Sequence, residues 1–338
     1  MRTCGITRRD FLFGSIAFAA TLSQSRNASA RSVNDAEVKA IHLKITYMTE
    51  ILKSPKGRDI NIWMPIPTSD HEQHVTDISA RSRMQHRLTE DPMFKNRIFY
   101  FKTERLNAGE GIALNYTVRR KTAGIIEDRQ ERPERYLEPS EWERWDEKIA
   151  RYVDGLVGNE SDPVKAGRKI YDALIDSLTY VHEACGRGIS TLTFEDKKGR
   201  CDEFHALFRS MMMYKKIPVR WHQGIALPYP SAIKKTGEVE ADCINAHSWL
   251  SFHIGNQRWM PVDLSEAKRR PDLREFYFGK LPPNRIRMSD GRGITLSPPQ
   301  KTPLNTFPYT HIEADGIPLI YGHHYRNRLR YEVLRIEV

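Results

Sequence analysis

No second run of apolar residues in this chain is long enough to cross a bilayer. The one short run lies at the N-terminus, Phe11 to Leu22, and its twelve residues fall short of the ~20 a spanning helix needs. There is no internal repeat and no low-complexity tract, so the chain is neither a solenoid nor a disordered polymer. No nucleic-acid-binding motif accompanies the formal charge of +10. The first 30 residues supply +3 of that charge, from Arg2, Arg8, Arg9 and Arg26 against Asp10. The remainder reads as a solvated surface of mixed charge. Cysteine is scarce, with four residues in 338, so the place of each one matters.

What is present is a core. Thirteen Phe, 14 Tyr and 6 Trp within an apolar share of 39% are enough to fill one large or two ordinary domains. The N-terminus has the layout of a signal peptide: Arg8-Arg9, the apolar run, then the small residues Ala28-Ser29-Ala30. Arg-Arg followed by Asp-Phe-Leu is similar to the twin-arginine export signal. Residues 1–30 are therefore expected to be removed, with the mature chain working in a bacterial periplasm or secreted, without a transmembrane segment. Removal takes Cys4 away and leaves Cys185, Cys201 and Cys243, an odd number. Outside the cytoplasm one of the three then stays unpaired or bridges to another chain.

Alternating apolar positions predict strands in "VKAIHLKITYMTE", with one break in phase, and in "RDINIWMPIP", "NRIFYFKTERL" and "GIALNYTVRR". Short strands joined by turns suggest an antiparallel sandwich. A charged connector follows, with a short helix from about Ser140. Ser161-Asp162-Pro163 then starts a helix that buries Ala166, Ile170, Leu174 and Leu178 and ends near Tyr180. A second helix begins at Cys201 and buries Phe204, Leu207, Phe208, Met211 and Met212. "IPVRWHQGIALP" reads as a strand. "NAHSWLSFHI" and "QRWMPVDL" form a hairpin around Gly255-Asn256.

A cysteine at a helix start meets N–H groups that have no partner within the helix, and the helix dipole favours its thiolate. Those N–H groups can also stabilise the oxyanion formed when a thiolate attacks a carbonyl. Asp202 and Glu203 oppose this by repelling the anion. A thiolate also needs a histidine, and the histidine an orienting acceptor. An odd-length hairpin loop in which His253 faces Gln257 would place His247 directly opposite Asp263, about 5 Å away between Cβ atoms. A two-residue loop would set Asp263 against Ser248, on the wrong face. By the same parity Trp249 and Trp259 share the face of His247, as walls of a substrate channel or as ordinary core aromatics.

"GRCDEFHALFRSMMMYKKIPVRWHQGIAL" and "AHSWLSFHIGNQRWMPVDLSEA" resemble the transglutaminase-like superfamily of papain-like cysteine enzymes: a Gly-x-Cys opening a helix, an "IPVR" strand, a His-x-Trp strand and a Trp-x-x-x-Asp strand. "INIWMPIP", "SEAKRRPDLREFYFG", "NRIRMSDGRGITL" and "PLNTFPYTHIEADG" extend the resemblance to a bacterial cysteine-protease group. The resemblance implies Cys201 as nucleophile, His247 as base and acid, and Asp263 as the orienting residue. It also suggests Tyr180, upstream of the cysteine, as a second oxyanion donor. No calcium loop of the EF-hand type is present, so cross-linking is not implied.

The expected fold is α+β. Signal residues 1–30 precede a β-sandwich-like domain at 36–125, a charged helical connector at 126–158 and a transglutaminase-like catalytic domain at 159–338. In that domain the cysteine-bearing helix packs on an antiparallel sheet. The expected activity is hydrolysis of amide or peptide bonds through an acyl-thioester, on peptide or protein substrates of the cell envelope, with no cofactor and no nucleic acid. Acyl transfer to an amine and a non-catalytic scaffold are the alternatives. Cys185 and Cys243 can form a disulfide that leaves Cys201 free, or serve as small buried apolar residues. The pairs Cys201/His205 and Cys243/His247 have Cys2His2 zinc ligands between them. No metal site is expected, and His205 reads as packed against its helix or facing solvent.

Overall fold

Strict alternation builds the first strand, and the computed structural model, which describes residues 33–130, 132–182 and 186–338, shows where it breaks. β1 (Ala40–Ile51) buries Ile41, Leu43, Ile45 and Tyr47 completely. Its pairing with the C-terminal strand shifts between His42 and Leu43, a bulge at the point where the alternation slips. β2 (Ile60–Ile66), β3 (Gln73–Arg81), β4 (His86–Glu90), β5 (Arg97–Thr103), β6 (Gly111–Lys121) and the short β7 (Ile126–Glu127) follow.

The connector contains a 3-10 turn at Pro133–Tyr136 and α1 (Glu147–Val157). This helix begins at Glu147 rather than near Ser140, because Asp146 caps it by accepting the Ile149 N–H at 2.9 Å. α2 (Pro163–Ser177) starts with proline in its first turn and Asp162 as cap. It buries Ala166, Ile170 and Leu174, with Leu178 buried just beyond its end. The helix stops at Ser177, short of Tyr180, because Leu178 is extended and the chain enters β8 (Thr179–Tyr180). After α3 (Ser190–Asp196), β9 (Lys198–Gly199) pairs in parallel with β8. α4 (Cys201–Tyr214) then begins.

The remaining elements are β10 (Val219–Ala226), β11 (Thr236–Glu240), β12 (Ala246–His253), β13 (Arg258–Val262), α5 (Leu264–Arg269), β14 (Arg285–Asp290), β15 (His311–Ala314), β16 (Ile317–Pro318) and β17 (Tyr325–Glu337). Two five-stranded sheets, ordered β11-β17-β1-β6-β3 and β16-β15-β2-β5-β4, share one core that includes Leu43, Tyr47, Ile62, Phe101, Leu114 and Leu329. The third sheet runs β14-β10-β12-β13-β7. Against it α4 packs Phe204, Leu207 and Phe208, in one cluster with Val219, Leu250 and Phe252. Each such side chain contributes about 1.5–3 kcal/mol on full burial, which fixes the helix on the sheet and so fixes the place of its first residue.

The hairpin register differs from expectation. His253 faces Trp259, Phe252 faces Met260 and Leu250 faces Val262. The loop is odd in length but longer, with Gly255, Asn256 and Gln257 at positive φ. Continued one step, this register puts Asp263 across from Trp249, a diagonal neighbour of His247. The face is conserved because the loop parity is conserved. On the other side of β12, Gly224 lies opposite His247. A Cβ on Gly224 would come within 1.8 Å of the Ile286 carbonyl oxygen, so only glycine lets β14 approach there.

Candidate active site

Cys201 opens α4, is 6% exposed and is a free thiol. Of the two neighbouring carboxylates, Glu203 is committed to the backbone. It accepts the Arg200 N–H at 3.0 Å and the Gly188 N–H at 2.8 Å. Asp202 lies closer, with Oδ1 3.9 Å from Sγ, but burial pushes its carboxyl up and disfavours its charged form. The repulsion expected from this acidic first turn is therefore weakened on both counts.

His247 Nε2 is 2.6 Å from Asp263 Oδ2, and the same imidazole is near enough to Cys201 for the thiol to influence its titration. Burial works against its charged form. The charge and hydrogen bond of Asp263, with the influence of Cys201, outweigh burial and push His247 up to about 10. Asp263 is fully buried and caps α5, where Oδ1 accepts the Glu266 N–H and the Ser265 hydroxyl, each at 3.0 Å. Its Oδ2 also accepts from Arg285 Nη1 at 2.7 Å. Burial alone would raise this carboxyl, yet the charges of His247 and Arg285 hold it well below the usual carboxylate range.

Three residues to which the sequence reading gave no role beside the thiol complete the cluster. Arg285, 1% exposed, pairs with Asp263 and lies 5.1 Å above the Trp249 ring. Its strand, Arg285–Asp290, also carries Arg287, Ser289 and Asp290, so nothing in the sequence singles Arg285 out. His205, far from facing solvent, is fully buried. Its Nδ1 is 3.2 Å from Ser248 Oγ and its Nε2 accepts the Leu264 N–H at 3.2 Å. Burial lowers its pKa, consistent with a neutral ring that accepts at Nε2; its i+4 spacing from Cys201 was the available clue. Gln223 accepts the Phe307 N–H through Oε1 at 3.0 Å, and its buried Nε2 has no partner among the described residues. Gln223 lines a cleft of about 220 Å³ with Asp202, Ala246, His247 and Tyr309.

Tyr180 pairs with Gly199 beside the start of α4. Burial and the nearby Cys201 push its hydroxyl up, which keeps it a donor. Trp249 stacks on His247 with ring centroids 6.0 Å apart and planes at 24°. Trp259 is on the same sheet face but not at the cleft: it lies opposite His253 with Arg220 3.7 Å above its ring. Cys243 is held in a disulfide, which removes it from the Cys2His2 set. Cys185 lies outside the described residues, as does the N-terminal segment 1–30. Among the described residues no cluster of three or more His, Cys, Asp or Glu is placed to hold a metal. No helix among them is long and apolar enough to cross a membrane.

Comparison with known proteins follows the same geometry. An uncharacterized protein of Haemophilus influenzae is 23% identical over 358 aligned positions, covering 90% of this chain and 92% of its own. YebA of Bacillus subtilis is 29% identical over 85 residues, 25% of this chain and 12% of its own. Among solved structures, a "putative cysteine protease" from Cytophaga hutchinsonii superposes with a TM-score of 0.51 at 16% identity, covering 87% of this chain and 98% of that one. The likeness is one of fold. Residues 150–264, the segment that contains Cys201, His247 and Asp263, are similar to the family described as the transglutaminase-like superfamily.

Proposed function

We propose that this protein is a thiol hydrolase of amide or peptide bonds, with Cys201 as nucleophile, His247 as acid and base, and Asp263 as the residue that orients and charges His247. The observation that supports it most is a free cysteine at a helix start, beside an imidazole whose titration it influences and which lies 2.6 Å from a buried carboxylate. A charged His247 beside the sulfur favours the thiolate electrostatically. The thiolate adds to the carbonyl carbon. The oxyanion is met by the first N–H groups of α4, with the Gln223 amide and the Tyr180 hydroxyl as further donors. His247 protonates the leaving amine as the C–N bond breaks, then takes a proton from the water that releases the acyl group from sulfur. The substrates are peptides or proteins of the cell envelope. The chain reaches them after export by its twin-arginine-type signal, and a Cys185–Cys243 disulfide keeps Cys201 free in that oxidising compartment.

A peptidyl electrophile such as an acyloxymethyl ketone should alkylate the purified chain on Cys201, and Cys201→Ala should abolish the reaction together with peptide or amide turnover. Full turnover by the alanine variant would refute the mechanism.

A further inference from the structure

The sheet that carries His247 holds a second imidazole–carboxylate pair. His222 of β10 is directly opposite Trp249 of β12 and, on its other side, Asp290 of β14. Its Nδ1 is 2.6 Å from Asp290 Oδ1, and its Nε2 is 2.9 Å from Ser251 Oγ. Both lengths are those of good hydrogen bonds. Asp290 stays ionised: burial would raise it, but Arg287 and His222 hold it at about 2. A carboxylate on Nδ1 fixes the tautomer that leaves Nε2 to accept the Ser251 hydroxyl proton. His222 and Ser251 are 7% and 6% exposed, and they line a cavity of about 280 Å³ that contains neither Cys201 nor His247.

We propose that Ser251, His222 and Asp290 form a second nucleophilic site, a serine esterase centre for small uncharged carboxylic esters. The cavity walls carry the substrate preference. Among their charges Arg287 is paired with Asp70 and Arg220 with Asp128, and the aromatic rings of Phe94, Tyr136 and Trp259 supply apolar surface. Trp259 is fully buried and its indole N–H has no partner among the described residues, so it is a donor available to an oxyanion. Ser251 Oγ bonds to the ester carbonyl carbon as its proton passes to His222 Nε2. The C–O bond to the alcohol breaks and the alcohol takes that proton. Water then adds to the acyl carbon, gives a proton to Nε2, and the Oγ–C bond breaks with the proton returned to Ser251. Ester and water become acid and alcohol.

The test uses the full chain carrying Cys201→Ala, so that no thiol contributes. Phenylmethylsulfonyl fluoride should leave one sulfonyl adduct, mapped by peptide mass to Ser251, and p-nitrophenyl acetate should be hydrolysed above background. Adding His222→Gln should slow both by about 10²–10⁴. Adding Ser251→Ala should remove the adduct and return hydrolysis to background. In the chain that retains Cys201, Ser251→Ala should leave alkylation of Cys201 unchanged, which reports a native fold. No adduct on the Cys201→Ala chain, or an adduct on any other residue, overturns the proposal and leaves the three residues a structural hydrogen-bond network. Because Cys201 is absent from the labelling arm, failure here does not bear on the thiol mechanism.

Discussion

His247 and His222 sit on one sheet, each 2.6 Å from a carboxylate and each about 6 Å, centroid to centroid, from the same Trp249 ring. Their carboxylates live in different surroundings. Asp263 is fully buried, caps a helix and pairs with a buried arginine, whereas the side chain of Asp290 is 34% exposed and has Arg287 3.6 Å away. A buried carboxylate with two cations cannot lose one partner without stranding the other. A partly exposed one can be re-solvated. The cysteine cleft is thus built around a charge that the fold itself depends on, and the serine cavity around one that it can spare.

The largest effect expected from breaking this contrast is at Asp263. Asp263→Asn strands Arg285 and should cost about 3–5 kcal/mol in urea unfolding. It should also slow labelling of Cys201 by a peptidyl electrophile by about 10²–10⁴. Asp290→Asn should cost only about 1–2 kcal/mol and leave Cys201 labelling unaltered. Equal costs for the two variants would erase the distinction.

Next in size is the pH dependence of stability. The folded His247 is raised to about 10, above its unfolded value of ~6.5. Its contribution is therefore fully present below about pH 6.5 and is lost as pH rises through about 10. Asp290, lowered to about 2, behaves oppositely: its contribution is present above about pH 4 and is lost as pH falls through 2. Denaturant midpoints of the native chain should fall between pH 7 and 10, and His247→Gln should flatten that limb. Asp290→Asn should flatten only the acid limb. A native alkaline limb that survives in His247→Gln would assign it to another group.

The sequence made the two ends of the cysteine site legible for physical reasons. A helix period starting at Cys201 and a strand period through His247 and Trp249 are local patterns. So is the parity of the hairpin, which carried His247 and Asp263 to one face although the register was off by one pair. Arg285 was not legible, because it reaches Asp263 through the pairing of β14 with β10, and local periodicity does not report which strand becomes a neighbour. The same holds for β1 and β17, paired although they lie at opposite ends of the described chain. It holds also for His222, Ser251 and Asp290, which are brought together from three strands. His205 and Trp259 show the complementary difficulty. A helical or strand period gives a side chain's face but not what stands opposite, so His205 read as packed against its helix or facing solvent, and Trp259 as a channel wall or an ordinary core aromatic.

Trp249 and Trp259 provide the smallest and most local separation of the two regions. Both are fully buried tryptophans on one face of the third sheet, so substituting phenylalanine removes a similar volume from each. Trp249 touches both imidazoles, and Trp249→Phe should lower labelling of Cys201 by about two- to tenfold, the range of one lost aromatic contact. Trp259 instead meets Arg220, Tyr136 and His253. Trp259→Phe should leave Cys201 labelling within about twofold while weakening the Arg220 stack by about 0.5–1 kcal/mol in unfolding measurements. If Trp259→Phe slowed Cys201 as much as Trp249→Phe, the effect would have to travel along β12 from His253 to His247. The sheet would then be one coupled unit rather than two sites that share a wall.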